Sequence, residues 1–488
     1  MKVKLLSLAL MFALVAALFG APAPAKAVGY GTAFVTSITY QNIGTDTAHL
    51  YVDFYPADGS AAINFPLPDL PANAGSSLYV GSVTTISAGF QGSAVMTSDQ
   101  PMAAVLVQLP PASSSVKNRP LSSGMTNGAP SVLIATVLKN QFHTNTIFVV
   151  QNADTARNRV TVNLIPLSGA AITLPTVDLN PGQAKYYDLA QLPELNGFAS
   201  FNGSATIDAV QLDGSGNPTT TPGSVVATSL ELATATNANP DAVYAFEGTA
   251  EKATTIFMPT ALCNAFGGQN SFYAVQNTSA TNTAAVTVTY SSGATDTANI
   301  GPGQKASFAG CANGQNSNGF SGSATITSTQ DIVAIGKVSG NGLSTAFLGF
   351  KSGATKIALP YIRWTESRWA PNGRQRAYIA IQNVSTTQTL AAGDVIVNYY
   401  DKNGALVGSH ELPAMGPGAK ANSNASMIPG FPDAAKEFGY YTDGTFGGSA
   451  TVTTKAGVTA QLAVVVRVAS NLNGTQLVAE DYNGIVIP

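Results

Sequence analysis

Hydrophobic and polar residues alternate in short stretches along most of the chain. Between Val286 and Tyr290, every second residue is apolar or aromatic, and the residues between them are threonines. A period of two predicts a β-strand with one face towards a core and the other towards water. Turn residues recur about every 8–12 positions, without helical periodicity, which is typical of antiparallel strands. The pattern therefore predicts an all-β protein.

The alternating stretches form four copies of one pattern. Each copy has a strand that ends in Gln-Asn, a turn with glycine, and a later strand that opens with Gly-Ser-Ala, preceded by an aromatic residue and one variable position. Three copies also have a Pro-Gly turn, and the first copy has a looser turn over Pro71–Gly75. The Gln-Asn pairs are Gln41-Asn42, Gln151-Asn152, Gln276-Asn277 and Gln382-Asn383, and the Pro-Gly turns are Pro181-Gly182, Pro302-Gly303 and Pro417-Gly418.

Successive Gln-Asn pairs are 110, 125 and 106 residues apart. This period is too long for one turn of a solenoid and is large enough for a complete domain. We therefore predict a tandem array of four antiparallel β-sandwich domains in a row. The expected bounds are 28–127, 128–250, 251–353 and 354–488.

The repeated motifs resemble those of the immunoglobulin-like β-sandwich repeats of secreted and cell-surface bacterial proteins. In those repeats a Gln-Asn strand and a Gly-Ser-Ala strand recur at about this spacing. The resemblance implies immunoglobulin-like domains and an adhesive or structural role, as in surface layers, fibres and cell-contact proteins. The chain has neither a sortase anchoring motif nor the Cys–Trp–Cys arrangement of antibody domains.

The first 27 residues have the features of a secretory signal peptide. Lys2 and Lys4 precede an apolar stretch over 5–19, and Ala25-Lys26-Ala27 supplies small residues at both specificity positions of a signal-peptidase site. We expect export and a mature chain that begins near Val28. The alternative is an uncleaved anchor, although the apolar stretch is short of the roughly 20 residues that a membrane span needs.

Composition narrows the functional classes. Charged residues make up 10% of the chain, the formal net charge is −3, and no basic run is present, which argues against nucleic-acid binding. The three histidines are far apart in sequence, and we find no nucleophile elbow and no phosphate-binding loop. We therefore expect no enzyme, no cofactor and no metal site. No second apolar stretch is long enough to span a membrane.

Cys263 and Cys311 both lie in the third repeat, 48 positions apart. In an oxidising compartment, a lone pair of cysteines within one domain is expected to form a disulfide. Two free buried thiols are the alternative.

Both tryptophans of the chain lie in one short segment, together with several arginines. Arg363, Trp364, Arg368 and Trp369 are of the residue types that dominate binding hot spots. They could contact a surface glycan or a partner protein. Equally, the segment could pack its tryptophans onto its own sandwich.

An apolar segment precedes the Gln-Asn strand in the last three copies, at 131–134, 255–259 and 356–360, and has no counterpart in the mature first copy. The C-terminal residues 482–488 look like a truncated fifth copy of this region. If each segment completes the domain that follows it, the first domain lacks a strand and the fourth has one to spare. Ile485, Val486 and Ile487 of one subunit could then pair with the first domain of the next, building a head-to-tail filament. The alternative is that each segment ends the preceding domain, so that every domain is complete.

Two functions follow from these expectations. The first is a secreted structural protein of the cell surface that builds an extracellular filament or lattice. The second is a multidomain adhesin that binds glycan or protein through exposed loops.

Overall fold

The computed structural model describes residues 33–111, 117–234, 236–237, 239, 241–365, 374–431, 438–440, 447–472 and 476–487. The expected signal peptide lies outside the described residues. The described residues form β-strands and four short 3₁₀ turns, at Val80–Ser82, Pro193–Leu195, Ala312–Gly314 and Ala425–Met427. The chain is thus all-β over these residues.

The described strands fall into four groups along the chain, and each strand pairs only within its group. We call these groups units one to four. Unit one contains β1 (Val35–Asn42), β2 (Leu50–Pro56), β3 (Ile63–Pro66), β4 (Gly75–Tyr79), β5 (Gly92–Ser98), β6 (Met102–Leu109) and β7 (Leu121–Ser123). Unit two contains β8 (Ser131–Lys139), β9 (Thr144–Asn152), β10 (Asn158–Pro166), β11 (Ile172–Thr173), β12 (Val177–Leu179), β13 (Ala184–Asp188), β14 (Phe201–Leu212), β15 (Pro218–Pro222), β16 (Val225–Ala233) and β17 (Val243–Glu247).

Units three and four repeat this order. Unit three contains β18 (Ala253–Cys263), β19 (Asn270–Asn277), β20 (Ala284–Tyr290), β21 (Thr295–Ile300), β22 (Lys305–Ala309), β23 (Phe320–Gly340) and β24 (Leu343–Leu348). Unit four contains β25 (Lys356–Leu359), β26 (Arg374–Asn383), β27 (Val395–Asp401), β28 (Leu406–Glu411), β29 (Lys420–Ser423), β30 (Gly448–Thr454), β31 (Leu462–Leu472), β32 (Gln476–Asn483) and β33 (Ile485–Val486). All pairings are antiparallel.

Unit two shows how the strands form two layers. One sheet has the order β13-β9-β16-β17, and in the other β10 pairs with β14, which in turn pairs with β8. Phe148 of the first sheet and Val160 of the second lie in one buried cluster, so the two sheets pack face to face. In an immunoglobulin sandwich the first strand joins the sheet of the second strand, and the last strand joins the other sheet. Here the first strand, β8, lies in the sheet of β10 and β14, and the last strand, β17, lies in the sheet of β9, so the immunoglobulin-like expectation holds only as an antiparallel β-sandwich.

The asparagine of each Gln-Asn pair fixes two loops of its own unit. Asn152 is fully buried; its Nδ2 donates to the carbonyls of Ala156 and Leu179, and its Oδ1 accepts from the Asp154 N–H. The same bonds recur at Asn42, Asn277 and Asn383. Because a buried amide and the carbonyls it caps need partners, the repeated asparagine has a structural role.

The serine of each Gly-Ser-Ala run joins its unit to the next. The bonds are Ser93 Oγ to Gly182 O (2.5 Å), Ser204 Oγ to Gly303 O (2.8 Å), Ser323 Oγ to Gly418 O (2.8 Å) and Ser449 Oγ to Asn73 O (3.4 Å). The last bond leads from unit four back to unit one. Asn73 has φ 62°, and the three acceptor glycines also have positive φ, so the turns are alike although the first copy lacks Pro-Gly.

The four units therefore form a closed ring, not the array in a row that the sequence predicted. A repeated head-to-tail contact gives a ring when its rotation closes. One strand from each unit lies at the centre, and each of these strands, β7, β17, β24 and β32, contacts two of the others. The space left there among the described residues is about 10 Å³, which is room for one water at most.

Candidate functional site: an open cleft in unit one

The first strand of units two, three and four pairs with the Gly-Ser-Ala strand of the same unit. The paired residues are Ile134 with Ala205, Met258 with Ala324, and Leu359 with Ala450. Each apolar segment thus completes the unit that follows it. This is the first of the two arrangements that the sequence left open.

Unit one has no such strand among the residues that the structure describes. Its Gly-Ser-Ala strand, β5, pairs with β2 and with no other described strand. Among the described residues, one edge of the sheet is therefore open. An edge of this kind presents unpaired N–H and C=O groups, which readily pair with another chain.

The missing strand leaves the core of unit one partly uncovered. Ala94 and Met96 of β5 are only half-buried, whereas the residues at the same positions in the other units are 0–2% exposed. Those equivalent residues are Ala205, Ile207, Ala324, Ile326, Ala450 and Val452. The sequence of β5 is thus that of a buried strand in a place that is open to solvent.

A cleft of about 2380 Å³ lies where the missing strand would be, between units one and two. Phe54, Phe90, Met96 and Leu106 line its apolar side. The cleft extends to Ile485 of β33. Its size and composition suit a short apolar peptide segment.

Buried lysines follow the Pro-Gly turns of units three and four. Lys305 in unit three is buried under β8, where its Nζ donates to Thr136 Oγ1 at 2.6 Å, and burial lowers its pKa to about 7. Lys420 in unit four is at the same position, since both lysines pair with the glutamine of the Gln-Asn pair, and burial lowers its pKa to about 8. In unit two this position is Ala184, which is also buried. Lys185, the next residue, is exposed and lines the cleft.

The C-terminal strand already has a partner in its own chain. Val486 pairs with Ile357 and Ile485 with Ala358, and the Ile487 N–H donates to the Lys356 carbonyl at 3.1 Å. In units two and three, the residues after the last strand make the equivalent bridges, Thr249 with Leu133 and Phe350 with Phe257. The interpretation of Ile485, Val486 and Ile487 as a spare strand for a subunit contact is therefore corrected. They are the ordinary end of a unit, because β25 has an edge for them to cover.

The proposed ligand contacts Arg363 and Trp364 are buried. Arg363 is 1% exposed; it donates to the carbonyls of Ile362 and Gly448 and stacks on the Tyr361 ring at 4.8 Å. Trp364 is 6% exposed and lies under the Arg376 guanidinium at 4.7 Å. Of the two alternatives that the sequence left open, the structure shows packing onto their own sandwich for these two residues, and not a surface contact. Arg368 and Trp369 lie outside the described residues.

Cys263 and Cys311 are joined in the structure, with an S–S distance of 2.06 Å. The bond links the end of β18 to the residue before the 3₁₀ turn Ala312–Gly314. It lies in unit three, away from the cleft.

Two exposed phenylalanines were not among the candidate contact residues that the sequence indicated. Phe142 is 63% exposed with φ 51°, and Phe266 is 66% exposed with φ 48°. Both lie at the tip of the hairpin between the first and second strands of their units. Positive φ is uncommon for a bulky side chain and concentrates at functional sites. The shared Asn-x-Phe at 140–142 and 264–266 was the signal that could have located them.

The described residues contain no cluster of three or more metal-ligating side chains. They contain no helix that is long and apolar enough to cross a bilayer.

No protein-family model and no curated protein matches the chain. Among solved structures, it is similar to a tetra-tandem repeat in the extending region of a large adhesion protein, at 10% sequence identity. The alignment covers 93% of this chain and 95% of that one, with a TM-score of 0.11. The two backbones do not superpose at that score, so this similarity carries no argument about function. The function proposed below is based on the cleft in unit one.

Proposed function

We propose that the protein is an exported, non-catalytic structural component of the cell surface, and that its copies assemble when unit one accepts a β-strand from a neighbour. The observation that carries this proposal is the open edge of β5 above a half-buried core. The product is an extracellular filament or lattice. The expected signal peptide supports export.

An open sheet edge and an apolar cleft are both liabilities for an exported protein unless something covers them. Units two, three and four show which cover fits, since in each of them an antiparallel strand occupies the same edge. Adding a strand to such an edge supplies main-chain hydrogen bonds and buries alternate side chains. A strand from another molecule would complete unit one in the same way.

A charge placed in the cleft tests this function. Met96→Glu puts a carboxylate where an incoming apolar strand would bury it, and Thr97→Glu puts the same charge on the outer face of the same strand. Negative-stain microscopy and light scattering of the chain that begins at Val28 should show assemblies for the wild type and for Thr97→Glu. Met96→Glu should remain single rings. A wild-type chain that is monomeric at high concentration would contradict the proposal.

The exposed Phe142 and Phe266 favour a second candidate, adhesion. Exposed aromatic rings stack on apolar ligand faces and are frequent in binding hot spots. Replacing both by serine should then abolish binding to cells or glycan surfaces without changing assembly. If the copies assemble by strand addition, Met96→Glu should instead abolish assembly without changing binding to cells or glycan surfaces.

A further inference from the structure

We propose that the strand missing from unit one is residues 28–33 of a second copy of this chain. This inference rests on the proposed function, which it extends by naming the donor.

The position of the missing strand follows from the other three units. In each of these units, one residue of the first strand pairs with the alanine of Gly-Ser-Ala. These residues are Ile134, Met258 and Leu359, and they precede the asparagine of the Gln-Asn pair by 18, 19 and 24 positions. The same spacing before Asn42 leads to 18–24. These residues lie within the expected signal peptide, so its removal takes away the chain's own candidate for the strand.

The residues left before β1 are too close to it to fill their own cleft. Residues 28–33 precede Asn42 by only 9 to 14 positions, below the shortest spacing in the other units. In a second copy this restriction does not apply.

The sequence of 28–33 suits the edge of β5. Val28, Tyr30 and Thr32 alternate with Gly29, Gly31 and Ala33. One face is larger and mostly apolar, as the cleft requires, and the other is small. Four residues of β25 are enough to pair with β30 in unit four, so six residues are sufficient here.

The donor also starts in the right place. Ala33 lines the cleft of its own chain, and Phe34 packs beside Leu232 and Val243 of unit two, so the donor is joined to the ring at the cleft. The C-terminal strand β33 is paired within unit four and is not a free donor. Two rings that meet at their clefts can therefore exchange N-terminal strands, either reciprocally as a dimer or successively as a filament.

The test uses two chains and two peptides. One chain begins at Val28 and the other at Phe34, which removes the donor and leaves all described strands intact. The probe is a synthetic peptide of residues 28–36, and its matched control carries Tyr30→Asp. Far-UV circular dichroism and thermal unfolding of both chains check that the ring is folded.

We expect the Val28 chain to form dimers or longer polymers and the Phe34 chain to be monomeric. The Phe34 chain should bind the peptide 1:1 in titration calorimetry. The Tyr30→Asp peptide should bind at least about ten-fold more weakly, because it would bury an unpaired carboxylate. Excess wild-type peptide should dissociate the assemblies of the Val28 chain.

Absence of peptide binding to the folded Phe34 chain would overturn the inference. So would assembly of the Phe34 chain to the same extent as the Val28 chain. If Met96→Glu still blocked that assembly, strand addition to unit one would stand and the donor would be another segment. A Val28 chain that stays monomeric would overturn both this inference and the proposed function.

Discussion

Arg119 of unit one and Glu480 of unit four form an ion pair where the ring closes, with 2.5 Å between Nη2 and Oε1. The Glu480 side chain is fully buried, and the Arg119 side chain is 10% exposed and also donates to Ser470 Oγ at 2.7 Å. The two residues are far apart in sequence, because Arg119 belongs to the first unit and Glu480 to the last. The contact holds unit one against unit four.

Breaking the pair should open the ring. Arg119→Ala leaves Glu480 buried without its cation, which should lower the free energy of unfolding by about 3 kcal/mol. This value is at the low end for buried ion pairs because the Glu480 carboxylate can bind a proton. Small-angle X-ray scattering should show a larger maximum dimension, with the β content in circular dichroism unchanged.

A surface ion pair provides the control. Arg157 is half-exposed and lies 3.2 Å from Asp178, so Arg157→Ala should cost less than about 1 kcal/mol and leave the dimensions unchanged. Equal effects of the two substitutions would contradict the role given to Arg119.

The stability of the ring should fall as the pH rises from about 4.5 to 7. Burial raises the pKa of Glu480 to about 7 from its ordinary value of 4.5, although Arg119 opposes the shift. The folded state therefore holds this proton more tightly than the unfolded state, and the advantage is lost as pH rises through the folded pKa. Urea unfolding across this range should show the fall in the wild type and a smaller one in Glu480→Gln.

The two buried lysines should act in the opposite direction at higher pH. Burial lowers the pKa of Lys305 to about 7 and that of Lys420 to about 8, from 10.5. The unfolded state then binds more protons than the folded state, so stability should rise between about pH 7 and 10.5. Urea unfolding across this range should show the rise in the wild type and a smaller one in Lys305→Met.

The buried asparagines should be intolerant of substitution. Asn152→Ala leaves the carbonyls of Ala156 and Leu179 without their amide donor, at about 1–3 kcal/mol for each buried group. We expect a loss of at least about 2 kcal/mol in urea unfolding. Asn217, in an exposed hairpin turn, is the matched control, and its replacement by alanine should change stability by under about 1 kcal/mol.

Reduction should destabilise unit three. The Cys263–Cys311 bond closes a loop of 48 positions, which corresponds to up to roughly 4 kcal/mol in the chain-entropy model. Non-reducing peptide mapping of secreted protein should recover the linked pair. Two alkylatable thiols in that protein would show that the cysteines are free.

Local patterns were enough to predict the strands and the four copies. The alternation at Val286–Tyr290 became β20, and the apolar segments became β8, β18 and β25, because burial on one sheet face is visible in the sequence. Ring closure was not predictable in this way. It depends on contacts such as Ser449 with Asn73, 376 positions apart, and neither residue differs locally from a solvent-exposed one.

In the candidate site, too, one feature could be predicted from the sequence and another could not. The missing first strand of unit one could be inferred from spacing, because the other three copies supply the reference. The burial of Arg363 and Trp364 could not be inferred from residue type. Long amphipathic side chains occur both at binding surfaces and in cores, where stacking and carbonyl acceptors satisfy them.

Ring closure also decides how the protein would respond to mechanical force. Ala33 and Ile485, close to the two ends of the described chain, line the same cleft, so both ends of the described chain lie beside it. In four domains joined in series, tension between the ends would load every domain equally. Here it would act first on the seam between units one and four, where Ser449 bonds to Asn73 and Arg119 pairs with Glu480. Units two and three would be shielded until that seam ruptures, and the opened chain would then lengthen under load.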